Sequence, residues 1–245
     1  VKKSKLSQVV VAAAVVATLG LTAACSGDSD GGDKSDKGKG SDKSSAGQSG
    51  GAEGGGEEKG APALTEAQLK AALLGNDEVK GYKLEDVPAA EIPKESEKAP
   101  GECQVLSDVL TTTTTPAPKA RAIKAGMSGQ METMQSIALA AHEQADAESL
   151  LAGVREAIEK CKGFKDSEGA QSTVQGQPDP KLGDESVAYV LVTGEGADQS
   201  KVAFNVVRSG STLATFYSMN IAAEGDSKVP AELVSAQLKK LEAVK

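Results

Sequence analysis

The sequence is short of the residues that carry most protein chemistry. It has no tryptophan, three phenylalanines, three tyrosines and a single histidine, His142. A nucleic-acid surface needs positive charge and stacking rings; with 2% aromatics and a net charge of −8, this chain offers neither. One histidine leaves no multi-histidine metal site and little room for histidine-based acid–base catalysis. Long apolar runs are equally scarce. The chain has one, at its N-terminus, which excludes a polytopic membrane protein. Nucleophile elbows, Walker A loops, H-E-x-x-H, EF-hand loops and dinucleotide-binding glycines are all missing. Gly126-Met127-Ser128-Gly129 lacks the spacing of G-x-S-x-G, and Asp184-Glu185 reads as a solvated strand entrance rather than a catalytic or metal pair. His142, between a predicted strand and a predicted helix, reads as a plain surface or loop residue. No catalytic residue, metal ligand or cofactor is therefore expected.

What the N-terminus contains is more specific. Lys2, Lys3 and Lys5 precede an uncharged stretch from Leu6 to Ala24, most apolar between Val9 and Ala17, which ends in Ala23-Ala24-Cys25. Basic, apolar and small-residue regions in that order make a secretory signal. With a cysteine directly after the small residues, the segment resembles a bacterial lipoprotein signal. The commonest lipobox has Leu three residues ahead of the cysteine; here Thr22 holds that place, with Leu21 beside it. The resemblance implies a signal peptide over 1–24 and a diacylglyceryl thioether on Cys25. Each buried methylene contributes about 0.8 kcal/mol, and two acyl chains hold stably where one holds only reversibly.

Residues 26–60 carry 12 glycines in 35 positions and no Leu, Ile, Val, Phe or Tyr. Nothing there offsets the entropy of ordering, so a disordered tether is expected over 25–61, with an r.m.s. span of roughly 30–35 Å. The composition then shifts, and 62–245 suits one domain.

Within it, Thr65-Glu66-Ala67-Gln68 is a capping box for a helix that Gly75 stops, with Leu64 and Leu69 as staple. The pattern predicts a strand near Tyr82–Val87, a helix over Cys103–Leu110 and a strand over Gln130–Ala141. A helix follows from Ala147 to Lys162, capped by Asp146, with Ala147, Leu150, Leu151, Val154, Ile158 and Cys161 at helical spacing. Strands are expected at Ala170–Gln175, Ser186–Val192, Lys201–Arg208 and Ser211–Met219, the last two joined at Ser209-Gly210. Val229-Pro230 opens a final helix. Consecutive strands with short loops imply an antiparallel sheet flanked by helices, an α+β fold. Thr111–Thr115 and the neighbouring prolines break the pattern and read as a solvated loop, open to O-glycosylation outside the cell. The loops around Thr111–Lys119 and Gln177–Gly183 are the expected movable rims.

Setting Cys25 aside leaves Cys103 and Cys161, each on a predicted helix among apolar neighbours. Outside the cytoplasm they are expected to pair. The leader, the tether, a helix starting Leu64-Thr65-x-x-Gln68-Leu69, Gly101-Glu102-Cys103, Ala157-Ile158-x-x-Cys161-x-x-Phe164 and Gly183-Asp184-Glu185-Ser186 occur in that order. Val206-Val207-Arg208-x-Gly210 and a terminal amphipathic helix close the pattern, which resembles actinobacterial lipoproteins and the extracellular sensor domains of PknH-type receptor kinases. The resemblance implies a twisted antiparallel sheet flanked by helices, with a cleft for an unidentified ligand. Such domains usually carry two disulfides, and this chain has cysteines for one. The expected function is a non-catalytic ligand-binding or sensor-like domain, held to the outer side of the cell membrane by lipid on Cys25. Its partner would be a small molecule or an envelope protein, not nucleic acid. A lipid or small-molecule carrier is the alternative, and a cell-envelope enzyme the third reading.

Overall fold

The computed structural model describes residues 60–76, 78–128, 132–165, 169–194, 199–221 and 227–244. The signal peptide, Cys25 and nearly all of the tether lie outside them. Eight strands form a single antiparallel sheet: β1 (Tyr82–Asp86), β2 (Ala120–Ser128), β3 (Thr133–Ala141), β4 (Phe164–Lys165), β5 (Gln171–Gln177), β6 (Glu185–Thr193), β7 (Ser200–Ser209) and β8 (Thr212–Asn220). Four α-helices flank it, α1 (Glu66–Ala72), α2 (Gln104–Thr111), α3 (Gln144–Lys160) and α4 (Ala231–Glu242), with a single 3-10 turn at Gly101–Cys103 leading into α2. The α+β architecture read from the sequence is the one the chain adopts.

The strand order is β1-β2-β3-β8-β7-β6-β5-β4. Two meanders are therefore fused at β3–β8. The first runs outward-in from β1 to β3; α3 then carries the chain to the far edge, and β4 to β8 work back until β8 pairs with β3. Register fixes which side chains share a face, because directly paired residues point the same way. Ile137 opposes Phe216, so these two lie on one face with Leu139, Ala214 and Val207. Ser136 opposes Tyr217, which opposes Phe204, which opposes Tyr189, and this row lies on the other face.

α1 and α4 cover the first face over the β1–β2–β3–β8–β7 half. Leu69, Leu73, Leu233, Val234, Leu238 and Leu241 pack onto Ile137, Leu139 and Phe216, and nearly all of these side chains are out of reach of water. Each such burial contributes about 1.5–3 kcal/mol. The Thr65 hydroxyl accepts from the Gln68 amide while the Gln68 side chain accepts from the Thr65 amide, the reciprocal cap expected of the sequence. Gln237 of α4 joins the end of α1: its Nε2 donates to the Ala72 carbonyl at 2.7 Å and its Oε1 accepts from the Leu74 amide at 3.0 Å. That buried amide satisfies backbone groups that a helix end leaves unpaired.

α2 and α3 cover the second face over the β5–β6–β7 half, placing Leu106, Val109, Leu151 and Val154 on Val187, Tyr189 and Val206. Cys103 and Cys161 are bonded, with Cα atoms 5.1 Å apart, tying the entrance of α2 to the exit of α3. The bridge closes a loop of 58 residues, worth about 4 kcal/mol in the chain-entropy account.

Several expectations are corrected. β2 was not expected: Ala120-Arg121-Ala122-Ile123-Lys124-Ala125 alternates only weakly, and its two long cations mask a half-buried strand. Gly126 belongs there for a physical reason, since a Cβ at that position would stand 1.8 Å from the Lys83 carbonyl oxygen. α3 begins at Gln144 after Glu143, so Asp146 is a first-turn acid and not the cap. The β7–β8 turn is Gly210-Ser211, one residue later than expected, because Ser209 still pairs with Thr212 and Gly210 takes the positive φ of 60°.

Candidate functional site

The helices are placed diagonally, one pair on each face, and this leaves part of the second face bare. Beyond the end of α2, the sheet surface from β2 across β3 and β8 to β7 and β6 carries a cleft of about 430 Å³. Its floor follows from register. Ala125 of β2 opposes Ser136 of β3, which opposes Tyr217 of β8, and Ala138 opposes Thr215. Met134, Val202 and Leu191 line the side toward the hairpin ends of the strands, and Leu110, in the last turn of α2, forms the wall. The β3 side chains on this face are small where the cleft is deepest. Ser136 and Ala138 leave the space that Ile137 and Leu139 fill on the opposite face.

A strip of rings runs into the cleft from beneath α3. Tyr189 stacks on Phe204 with centroids 4.9 Å apart, and Phe204 meets Tyr217 edge-on at 5.5 Å. Tyr189 and Phe204 are buried and Tyr217 half-exposed, so three of the chain's six aromatic rings form one row from core to cleft. Burial pushes the Tyr217 hydroxyl above its ordinary pKa, so it stays a neutral donor and donates to Met219 Sδ at 3.4 Å. The remaining polar groups at the cleft are the hydroxyls of Ser136, Thr193 and Thr215. An apolar cavity with a few hydroxyls takes uncharged or weakly polar molecules, and its volume lies in the range of small-molecule sites.

The residues singled out from the sequence lie elsewhere. Asp184 and Glu185 stand solvated at the strand entrance, with side chains 50% and 37% exposed, and both also engage Arg208, which is 8% exposed. Asp184 Oδ2 accepts from Arg208 Nη1 at 3.1 Å and from the Gly210 amide at 2.6 Å, and Glu185 Oε1 accepts from Arg208 Nη2 at 3.1 Å. The pair clamps the β7–β8 turn to β6, a structural task for an otherwise buried cation.

His142 is a correction. It is 1% exposed, and neither ring nitrogen has a partner among the described residues. Burial lowers its pKa from 6.5, against a smaller opposing pull from the Asp146 carboxylate. The threonine run is a second. Thr112 and Thr114 are buried, and Arg121 Nη1 donates to the carbonyls of Thr111 and Thr112 at 3.4 and 3.3 Å. This part of the loop is packed, and only Thr115 of the five is exposed. In the 177–183 loop, Asp179 Oδ1 accepts from the Lys181 amide at 2.9 Å and the Ser186 hydroxyl at 2.6 Å. These bonds hold the Asp179 carboxyl below its ordinary pKa, Ser186 being the stronger influence, and they pin a loop expected to be movable. It is not part of the cleft lining. Cys25 lies outside the described residues.

The cleft itself was not read from the sequence. The available signal was β8, where Leu213, Thr215, Tyr217 and Met219 alternate with Thr212, Ala214, Phe216 and Ser218, so that both faces carry apolar groups. A strand apolar on both faces is covered on both or binds something on one.

No protein-family model matches the chain, and no curated protein matches it in sequence. Among solved structures, it is similar to the extracellular domain of PknH from Mycobacterium tuberculosis, at 14% identity and a TM-score of 0.49, covering 74% of this chain and 97% of that one. It is also similar to an uncharacterised Mycobacterium smegmatis protein, an Rv0999 ortholog, at 14% identity and a TM-score of 0.38, covering 73% and 93% of the two chains. A STAR-related lipid transfer protein from Xanthomonas axonopodis aligns at 13% identity and a TM-score of 0.24, over 51% of this chain and 90% of that one. Among the described residues, no helix is long and apolar enough to cross a membrane.

Proposed function

We propose that this chain is an extracytoplasmic lipoprotein, anchored through Cys25, whose domain binds a small apolar molecule without transforming it. The observation that carries the binding reading is the cleft of about 430 Å³ on the uncovered half of the second face, lined by Leu110, Leu191, Phe204 and Tyr217. It is open along one side, which suits a domain that samples or presents a ligand. The Cys103–Cys161 bridge accords with an oxidising compartment, and the basic start, apolar run and Ala23-Ala24-Cys25 supply the anchor. In this reading the tether holds the domain off the membrane, and the acidic balance of the chain keeps it away from an anionic leaflet. The volume of the cleft also favours the carrier reading for a single small molecule; a diacyl lipid is too large for it.

Two measurements test this. The full chain carrying Cys25→Ser, titrated with the environment-sensitive apolar fluorophore N-phenyl-1-naphthylamine, should show saturable binding of one probe per chain. A linear, unsaturable response would overturn the binding reading. In cells, Cys25→Ser should release the protein or leave its precursor uncleaved. A processed, detergent-extractable membrane protein despite that change would overturn the anchor.

A further inference from the structure

The chain has four methionines, at 127, 131, 134 and 219, a distribution with no spacing that reads as a motif. The sheet brings three of them into line. Met127 pairs directly with Met134 across β2–β3, and Met134 pairs directly with Met219 across β3–β8. All three therefore leave the same face of three adjacent strands, and that face is the open one, with Met134 lining the cleft. Each is half-buried. Met131 lies outside the described residues.

Adjacent strands stand about 4.8 Å apart, so the outer two backbones are roughly 10 Å from each other with Met134 between them. An unbranched side chain with three rotatable bonds spans that gap, which lets three sulfurs converge above the central strand. The ligand chemistry of the row is uniform. Its ends are Lys83, exposed on the edge strand, and Val202, so no carboxylate stands in it. Among the described residues no group of three His, Cys, Asp or Glu side chains is placed to hold a metal ion. The Cys103 and Cys161 thiols are consumed in their bridge, which leaves thioethers as the soft ligands of the folded domain. Hard cations such as Mg²⁺ and Ca²⁺ need oxygen ligands, whereas neutral thioethers select Cu(I). In the structure Met219 Sδ accepts from the Tyr217 and Ser200 hydroxyls at 3.4 and 3.7 Å, turned toward β7, so capture of the ion requires that side chain to swing back over β3.

We propose that Met127, Met134 and Met219 form a thioether site for Cu(I) at the mouth of the cleft. The proposal goes beyond the apolar-ligand reading and stands or falls separately from it, because methionine could equally serve as flexible apolar lining. Leucine separates the two roles: it keeps the apolar volume, normally costs less than about 1.5 kcal/mol in place of methionine, and removes the sulfur.

The test uses the full chain carrying Cys25→Ser, so that no free thiol competes. Cu(I) is supplied anaerobically as its acetonitrile complex, with circular dichroism confirming the fold of each variant. The parent chain should retain one Cu(I) on dialysis. Met134→Leu, which removes the central ligand, should weaken binding by at least the roughly tenfold that loss of a supporting group costs a metal site. The triple leucine variant should retain no Cu(I), and Met127→Leu with Met219→Leu, neither of which lines the cleft, should lose Cu(I) while still binding N-phenyl-1-naphthylamine. No Cu(I) on the parent chain, or undiminished Cu(I) on a folded triple leucine variant, would overturn the proposal. Loss of the fluorophore alone, with Cu(I) binding intact, would support the metal site and count against the apolar-ligand reading.

Discussion

β3 has two faces with opposite fates. Toward α1 and α4 it presents Gln135, Ile137 and Leu139, all fully buried; away from them it presents Met134, Ser136 and Ala138 at the cleft. The strand is the same and the backbone pairing is complete on both sides, so the difference lies in what the helices cover. α1 and α4 fill the first face with branched side chains, and nothing remains to bind. α2 and α3, tied together by their disulfide, are drawn to the far half of the second face and leave the near half bare. Small and flexible side chains follow the bare surface. A sheet can thus be core on one face and site on the other within a single strand, and the placement of the helices decides which.

The sharpest break of this comparison is on the filled face. Phe216→Ala should cost about 3–5 kcal/mol in chemical denaturation, because the cavity cannot collapse beneath two helices. Removing the bridge with Cys103→Ala and Cys161→Ala together should cost about 4 kcal/mol and, by loosening α2, should weaken binding at the Leu110 wall. Ser218 is the filled-face counterpart of Ser136: it is fully buried and accepts from Gln135 Nε2 at 2.9 Å. Ser218→Phe should cost about 1–3 kcal/mol by overpacking, read as a lowered unfolding midpoint.

The smallest effect is the pH dependence of His142. Its folded pKa is depressed below 6.5, so the unfolded chain binds more protons as pH falls below that value. Its contribution is full above about pH 6.5 and is lost progressively as pH drops from there through the lowered folded value. Denaturation of the parent and of His142→Leu across pH 7.5 to 5 should show their stability difference shifting toward the variant as pH falls. A constant difference would mean that the ring is not buried in the neutral form.

Much of the fold was legible where one local cause sufficed. The Thr65–Gln68 box set α1, the helical spacing of Leu150, Leu151 and Val154 set α3, and runs of β-branched and aromatic residues bounded by turn signals set β6 to β8. β2 was hidden because Arg121 and Lys124 sit within a half-buried strand, Arg121 donating to the Thr111 and Thr112 carbonyls and Lys124 facing Asp86 at 3.9 Å. His142 was misread because a strand–helix junction is usually exposed, whereas here the backbone is held against the β7–β8 turn, the Ser211 carbonyl accepting from the His142 amide at 2.8 Å. The cleft was illegible for a deeper reason. It is defined by where helices do not sit, and its residues come from positions 110 to 217, joined by strand pairings that no local window contains.

Ser136→Phe tests most directly the proposal that the open half of the second face binds a ligand. The side chain points into the cleft from its floor, where a phenyl ring would fill the space without crowding α1 or α4. The full chain carrying Cys25→Ser and Ser136→Phe should keep its unfolding free energy to within about 0.5 kcal/mol and lose saturable binding of N-phenyl-1-naphthylamine. An unchanged affinity in that folded variant would contradict the account.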